Sequence, residues 1–474
     1  MRVSPQLDQE ELQAAVHAAL ADWNRIAAGN ESPLGDLLIV QEKSAEYDAE
    51  RNPLTIRRAV SDVLESAISE LSVQDSNGAA VLRARFLEGR ITRQVAMRMH
   101  ASPDQVNRWQ RTAIVNLSQL IYSRESARRK ARTDQLRSSL PLSSPTHLFG
   151  CDEAISSIGE RLLNDAGPFV VAITGIGGIG KTSLAGAVVR HVIPTLVFDE
   201  IVWLQASMNY QGELAEITQQ SCEQILHSLT EKLGVRAGGG ESLSEQMIRL
   251  RQSLGERSCL VIIDNLETEE QATAILGQVG KLVKPSKFLL TTRARPLISS
   301  PAFYYSVEEL SFIDAAALLR QHALTIGTEA LTAADAEVTV DIYQMTGGNP
   351  LALKLVVGLA SVLPLEQILV GLEQSRPGPI EALYRHIYWE AWRTLGPEAQ
   401  VLLQAMPLVA ETGGLPNQMQ AISNLSDVVF WPAVRELFSR SLLEVQGNVR
   451  NRRYSIHRLT ETFLRTEIID WPQL

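Results

Sequence analysis

Residues 175–182, Gly-Ile-Gly-Gly-Ile-Gly-Lys-Thr, have the types and spacing of a loop that holds phosphate. Gly175, Gly177, Gly178 and Gly180, with Ile179 among them, let backbone N–H groups close around phosphate oxygens, and Ser183 follows in a helix whose N-terminus adds positive potential. Lys181 reaches the outer phosphates, and the Thr182 hydroxyl ligates Mg2+. Such a site also needs a carboxylate to orient the metal. Asp264, at the end of the apolar run Cys259-Leu-Val-Ile-Ile-Asp, supplies one, although many core strands end in aspartate and only its place after a phosphate loop points to the metal. Asn265 stands where a hydrolytic site commonly carries a second carboxylate to activate water. An amide takes no proton at neutral pH, so slow hydrolysis is expected unless Glu267 or another residue substitutes. Arg293, closing Lys287-Phe-Leu-Leu-Thr-Thr-Arg, would point towards the γ-phosphate from the C-terminal edge of a parallel sheet; a surface arginine in an ordinary β–α loop leaves the same pattern.

Strands and helices in alternation must position these groups. Residues 169–174 form a short β-rich apolar run before the loop, and 183–190 read as the helix after it. The run ending in Asp264 is continuous and apolar, as a strand buried on both faces of a parallel sheet should be, and 287–293 read as a further buried strand ending in polar residues and an arginine. Farther on, DAAALLRQHAL and ALKLVVGLASVL have helical spacing, and SLLEVQGNVRNRRYSIH reads as two strands around a polar Gly-Asn turn. The expected fold class is multidomain, α/β and α, which suits 474 residues at roughly three or four units.

Taken in order, LFGCDEAI (148–155), GIGGIGKT (175–182), FDEIVWLQAS (198–207), LVIIDNLE (260–267), KFLLTTR (287–293), TGGNPLALKLV (346–356) and YSIHRLTETFLR (454–465) resemble the NB-ARC family of STAND nucleotide switches. The glycine loop is generic, whereas TTR followed by GGxPLAL and a His-containing helix start is specific to the family. The resemblance implies that Lys181 and Thr182 hold phosphate and Mg2+, that Asp264 orients the metal, and that Arg293 senses the γ-phosphate. It places Pro350 against the adenine with Phe149 and Gly150 on the other side, and His457 on the β-phosphate of ADP. By spacing alone His457 is a histidine near a helix start, a common structural position. Three residues depart from the family pattern: Cys151 replaces the arginine of a Gly-Arg-Glu motif, Asn265 the second aspartate of the metal strand, and Arg458 the aspartate of a Met-His-Asp motif. The implied organisation is a P-loop parallel α/β sheet at 148–300, a helical subdomain at 301–375 and a winged helix at 376–474.

Ahead of these, Pro141-Leu-Ser-Ser-Pro145 reads as a linker (138–147), and residues 1–75 as a helical extension beginning with an amphipathic helix over about 8–28. Between them, 76–137 read as helix, turn, helix, turn and a longer helix, similar to the helix-turn-helix of sigma-factor region 4. Val95, Ala96 and Met99 face inward from the middle helix and Val106, Ala113 and Leu117 from the last, while His100 stands where a turn glycine is common. Gln105, Asn107, Arg108 and Arg111 point outward, as side chains that read base edges or hold phosphates do. From 81 to 137, thirteen basic side chains stand against four acidic ones in a chain of net charge −10, one footprint of a nucleic-acid contact and equally that of a solvated helix face.

Three distant cysteines fit a reducing cytoplasm. The most apolar run, PLALKLVVGLASVLP, is cut by Pro350 and Pro364 and carries Lys354, so no membrane span is expected. Two functional readings follow. The first is a switch locked by ADP at rest and opened by exchange to ATP, with the helix-turn-helix acting on DNA as a transcriptional regulator would. The alternative is an NLR-like defence or scaffold protein that forms a homo-oligomer with ATP and recruits a protein partner through its N-terminal helices. A rapid housekeeping ATPase is disfavoured by Asn265. No repeat array follows residue 465, so the signal is expected from an unidentified sensor or effector protein, from the N-terminal part, or from a segment beyond this chain.

Overall fold

The computed structural model describes the chain except for residues 1–6, 24–31, 48–51, 142–147, 207–213, 236–242, 267, 283–284, 294–301, 329–330, 332–335, 365, 369, 371–379, 410–412, 449–450 and 470–474. Glu267 and most of the expected linker therefore lie outside the described residues. Two units are distinguished: Met1–Ser139 with Val192–Ile201 and Glu256–Cys259, and the remainder.

The described N-terminal residues of the first unit are helical: α1 (Gln9–Ala21), α2 (Leu38–Tyr47), α3 (Pro53–Gln74), α4 (Ser76–Leu82), α5 (Thr92–Arg98) and α6 (Pro103–Arg137). A capping box starts α1: the Asp8 carboxylate accepts the Glu11 N–H at 2.7 Å and the Glu11 side chain accepts that of Asp8 at 3.1 Å. This helix closes at Asp22, earlier than the expected residue 28, and packs against α6 through a core that includes Leu12, Val16, Ile68, Leu71, Leu117 and Ile121. Residues 1–75 and 76–137 thus share one core. Val81, Ala84, Val95, Ala96 and Val106 form a smaller cluster, with Met99 packed against it. His100 takes left-handed backbone (φ +49°) between α5 and α6, the geometry that makes glycine common in such turns. Ser102 then caps α6.

The second unit is built on a sheet of order β2-β3-β4-β1-β5, from β1 (Val170–Thr174), β2 (Glu200–Gln205), β3 (Cys259–Leu266), β4 (Lys287–Thr292) and β5 (Ala302–Ser306). β1 pairs parallel with both β4 and β5, and every residue of β1 and β4 is buried, which explains the apolar run of β1 and the Phe-Leu-Leu centre of β4. β5 lies past the boundary expected at residue 300. Its sequence, AFYYS, is rich in β-forming aromatics and belongs to the sheet through the register Val170↔Ala302. Helices α7 (Asp152–Leu163), α8 (Lys181–Val192), α9 (Leu214–Lys232), α10 (Leu243–Glu256) and α11 (Glu269–Val279) alternate with the strands.

Beyond the sheet come α12 (Phe312–Ile326), α13 (Ala336–Thr346), α14 (Pro350–Ala360), α15 (Ile380–Arg393), α16 (Pro397–Ala405), α17 (Pro416–Ser423) and α18 (Asp427–Ser439). The hairpin β6 (Glu444–Asn448) and β7 (Asn451–Ser455) follows, then α19 (Arg458–Phe463). Leu319, Val356, Tyr388, Leu402, Phe430 and Leu464 belong to one core spanning these elements. The expected Gly-Asn turn is displaced: Gly447 pairs with Arg452 and Asn448 with Asn451 inside the ladder, so the connection falls at 449–450, outside the described residues. No described helix is long and apolar enough to cross a membrane.

Candidate phosphate-binding site

The loop between β1 and α8 is shaped by its own lysine. Lys181, the first residue of α8, donates from Nζ to the carbonyls of Gly175 and Ile176, both at 2.9 Å. Next to it, Thr182 Oγ1 donates to Asp264 Oδ1 at 2.8 Å. Asp264 is only 3% exposed and also accepts from Thr291 Oγ1 at 2.6 Å, while that hydroxyl accepts the Asn265 N–H at 2.7 Å. The start of α8 and the ends of β3 and β4 are thereby tied together by one polar chain. Asn265 stands in left-handed backbone (φ +75°) where the β3/β4 register shifts, a conformation that asparagine tolerates better than most residues. The fit of Mg2+ rests on donor chemistry: a hydroxyl and a carboxylate side by side are hard oxygen ligands, and Mg2+ commonly takes one or two such groups with substrate phosphates and water.

A cavity of about 1950 Å3 opens over the loop. Its lining includes Gly177, Gly178, Ile179, Gly180, Lys181, Thr182 and Ser183, together with Phe149, Gly150, Asp264, Arg293, Pro350 and His457. All the nucleotide-site residues read from the sequence meet there except Gly175, whose carbonyl is occupied by Lys181. A Cβ added to Gly177 would lie 3.5 Å from Leu459 and 3.7 Å from Arg293 Nη2, so the C-terminal helix and the arginine after β4 both approach the loop. His457 has a structural role as well as a place on the cavity wall: its Nδ1 accepts the Leu459 N–H at 3.1 Å and caps α19. Cys151 is half-buried, and burial first, then the Asp152 and Asp314 carboxylates, push its thiol pKa up. It offers no cation where the resemblance would place arginine.

Two participants were not legible in the sequence. Asn349 Nδ2 and Tyr384 Oη reach the Gly177 carbonyl at 3.3 and 3.2 Å, and Tyr384 Oη lies 2.7 Å from Asn349 Oδ1. The GGxPLAL pattern drew attention to Pro350, one residue on.

In the first unit, Gln105, Asn107, Arg108 and Arg111 are exposed on α6, and Arg111 Nε donates to the Asn107 carbonyl at 3.4 Å. The basic footprint is smaller than the local charge count suggests. Arg90 and Arg98 pair with Glu88, Arg124 with Glu70, Arg128 with Glu42, and Arg129 with Glu125. Residues 1–75 carry fourteen carboxylates against six basic side chains, and α2 and α3 pack on α6, so folding brings the acidic and basic stretches together.

Residues 151–324 match the model of the NB-ARC domain. The chain is similar to the disease resistance-like protein CSA1 of Arabidopsis thaliana, 26% identical over 314 residues that make up 63% of this chain and 24% of that protein. It is likewise similar to the disease resistance protein RPV1 of Vitis rotundifolia, 27% identical over 54% of this chain and 18% of that protein. The matched stretch thus spans about a quarter or less of these relatives. Among solved structures, a signal transduction ATPase with numerous domains (STAND) carrying a tetratricopeptide repeat sensor, from Pyrococcus horikoshii, aligns at a TM-score of 0.44 and 21% identity, covering 70% of this chain and 44% of that one.

Proposed function

We propose that this chain, which carries an NB-ARC domain over residues 151–324, is a nucleotide-driven switch, held closed by ADP and opened by exchange to ATP. In the open form it assembles and recruits a protein partner through its N-terminal helices. The observation that carries this reading is the single cavity around which the glycine loop, Arg293 and His457 converge. In this reading Lys181 holds the outer phosphates, and Thr182 and Asp264 hold Mg2+, which neutralises phosphate charge when bound. Arg293 distinguishes a third phosphate, Pro350 with Phe149 and Gly150 encloses the adenine, and His457 reports ADP from a winged-helix region at 376–474. The region at 301–375 acts as the helical subdomain between them. Asn265 keeps hydrolysis slow, as a lock requires.

Similarity to disease resistance proteins supports the defence or scaffold reading. A second reading, DNA as the target, is supported by the exposed Gln105, Asn107, Arg108 and Arg111 near the start of α6. It requires salt-dependent binding that weakens when Arg108 and Arg111 become alanine.

The deciding experiment is to purify the protein without added nucleotide, denature it and identify what it releases by chromatography. Near-stoichiometric ADP that survives dialysis supports the lock, and its loss in Lys181→Ala ties it to this loop. An empty site with steady ATP turnover would replace the switch with a working ATPase.

A further inference from the structure

We infer that Asn349 and Tyr384 are positioning residues for the nucleotide's phosphates, acting through the backbone of the glycine loop. The inference rests on the reading of that loop as a nucleotide site.

Asn349 is fully buried and Tyr384 is 4% exposed, and neither lines the cavity. The orientation of the Asn349 amide is fixed by its neighbours: Oδ1 accepts the N–H groups of Leu351 and Ala352 at 3.0 and 3.3 Å, capping α14. With its oxygen so engaged, Nδ2 is left facing the Gly177 carbonyl as a donor. Tyr384 braces the pair, its single proton shared between Asn349 Oδ1 at 2.7 Å and the Gly177 carbonyl at 3.2 Å.

A trans peptide directs its N–H opposite to its C=O. Holding the Gly177 carbonyl towards buried Asn349 and Tyr384 therefore turns the Gly178 N–H the other way, to the side on which Gly177 and Gly178 line the cavity. The contact has no slack. Gly178 has φ +73°, and a Cβ there would lie 2.4 Å from Tyr384 Oη and 2.9 Å from Leu351 Cβ. A donor that is already aimed needs no reorganisation when an anion arrives. The same contacts link the loop to α14, through its capping residue, and to α15, which carries Tyr384, so a displacement of α15 would release the Gly177–Gly178 peptide.

The test measures ADP and adenosine binding calorimetrically on the full-length wild type, Tyr384→Phe and Asn349→Ser, the last retaining a capping hydroxyl while removing the amide donor. Loss of one hydrogen bond predicts ADP affinity reduced about three- to tenfold in each variant, with adenosine affinity unchanged because adenosine has no phosphate. Equal losses for both ligands would mean that the residues only support the fold, and unchanged ADP binding in both variants would overturn the inference alone. A wild-type protein that binds neither ligand would overturn the nucleotide reading beneath it.

Discussion

The amide at position 265 follows Asp264, the proposed metal-orienting carboxylate on β3, in left-handed backbone and with its N–H on the Thr291 hydroxyl. Aspartate tolerates that backbone nearly as well as asparagine, so Asn265→Asp changes the chemistry with little change in geometry. A positioned general base contributes about 10²–10⁴-fold, and we expect Asn265→Asp to raise ATP turnover at least about tenfold in a phosphate-release assay. Unchanged turnover would place water activation elsewhere. Lys181 and Thr182 were legible in the sequence because short-range rules fix them, a strand, a tight turn and a helix start in succession, whereas Asp264, 82 residues from Thr182, was legible only as the polar end of an apolar strand that follows such a loop. Asn349 and Tyr384 were not, because their target is a backbone carbonyl 172 and 207 residues away, and a carbonyl leaves no mark in the residue types.

Elements are held by buried polar contacts whose loss or titration is measurable. The N-terminus of α2 is capped from another helix: Glu125 on α6, 1% exposed, accepts the N–H groups of Leu38 and Ile39 at 2.9 and 3.1 Å and pairs with Arg129 at 2.7 Å. Glu125→Ala takes the acceptor from those donors and one partner from a buried guanidinium, and should lower unfolding stability by about 3–5 kcal/mol in a urea titration. Glu125→Gln, which keeps an acceptor, should lose less. On α12, His322 Nε2 lies 2.7 Å from Ser441 Oγ, near Lys354 of α14. Burial first, and the lysine second, push its pKa down to about 4. An unfolded chain takes up this proton near pH 6.5 and the folded one only near 4. His322 therefore contributes stability that is present above pH 6.5 and is lost, by up to about 3 kcal/mol, as pH falls through that window. Glu444 on β6, raised by burial, acts with the opposite sign. His322→Gln should flatten the fall in urea midpoint between pH 7 and pH 5, and an equally steep fall in the variant would assign it to other groups. The helices and buried strands here were readable from apolar periodicity. The tertiary cap at Glu125 was not, since charge pattern alone does not say which helix end a carboxylate will meet.

At the scale of the whole molecule, the energetics of the proposed switch constrain what its output could be. Inverting a population from 1:99 to 99:1 takes about 5.5 kcal/mol of differential binding. One charge-assisted contact, such as Arg293 to a third phosphate, contributes about 1.5–3 kcal/mol. In the proposed switch, nucleotide exchange alone would fall short, and contacts formed after opening, between copies or with a partner, would have to supply the remainder. DNA is a weak source of it: residues 1–137 are close to neutral, and two phosphate contacts from the exposed Arg108 and Arg111 would give a salt slope of only about −2. If assembly closes the gap, sedimentation velocity over a hundredfold concentration range should show larger species growing with concentration in a slowly hydrolysed ATP analogue and monomer throughout in ADP. Arg293→Ala should bring the two profiles together, because the third phosphate would then lack the group proposed to distinguish it. Monomer at every concentration with both nucleotides would exclude self-assembly and assign the missing free energy to a protein partner bound by the open form.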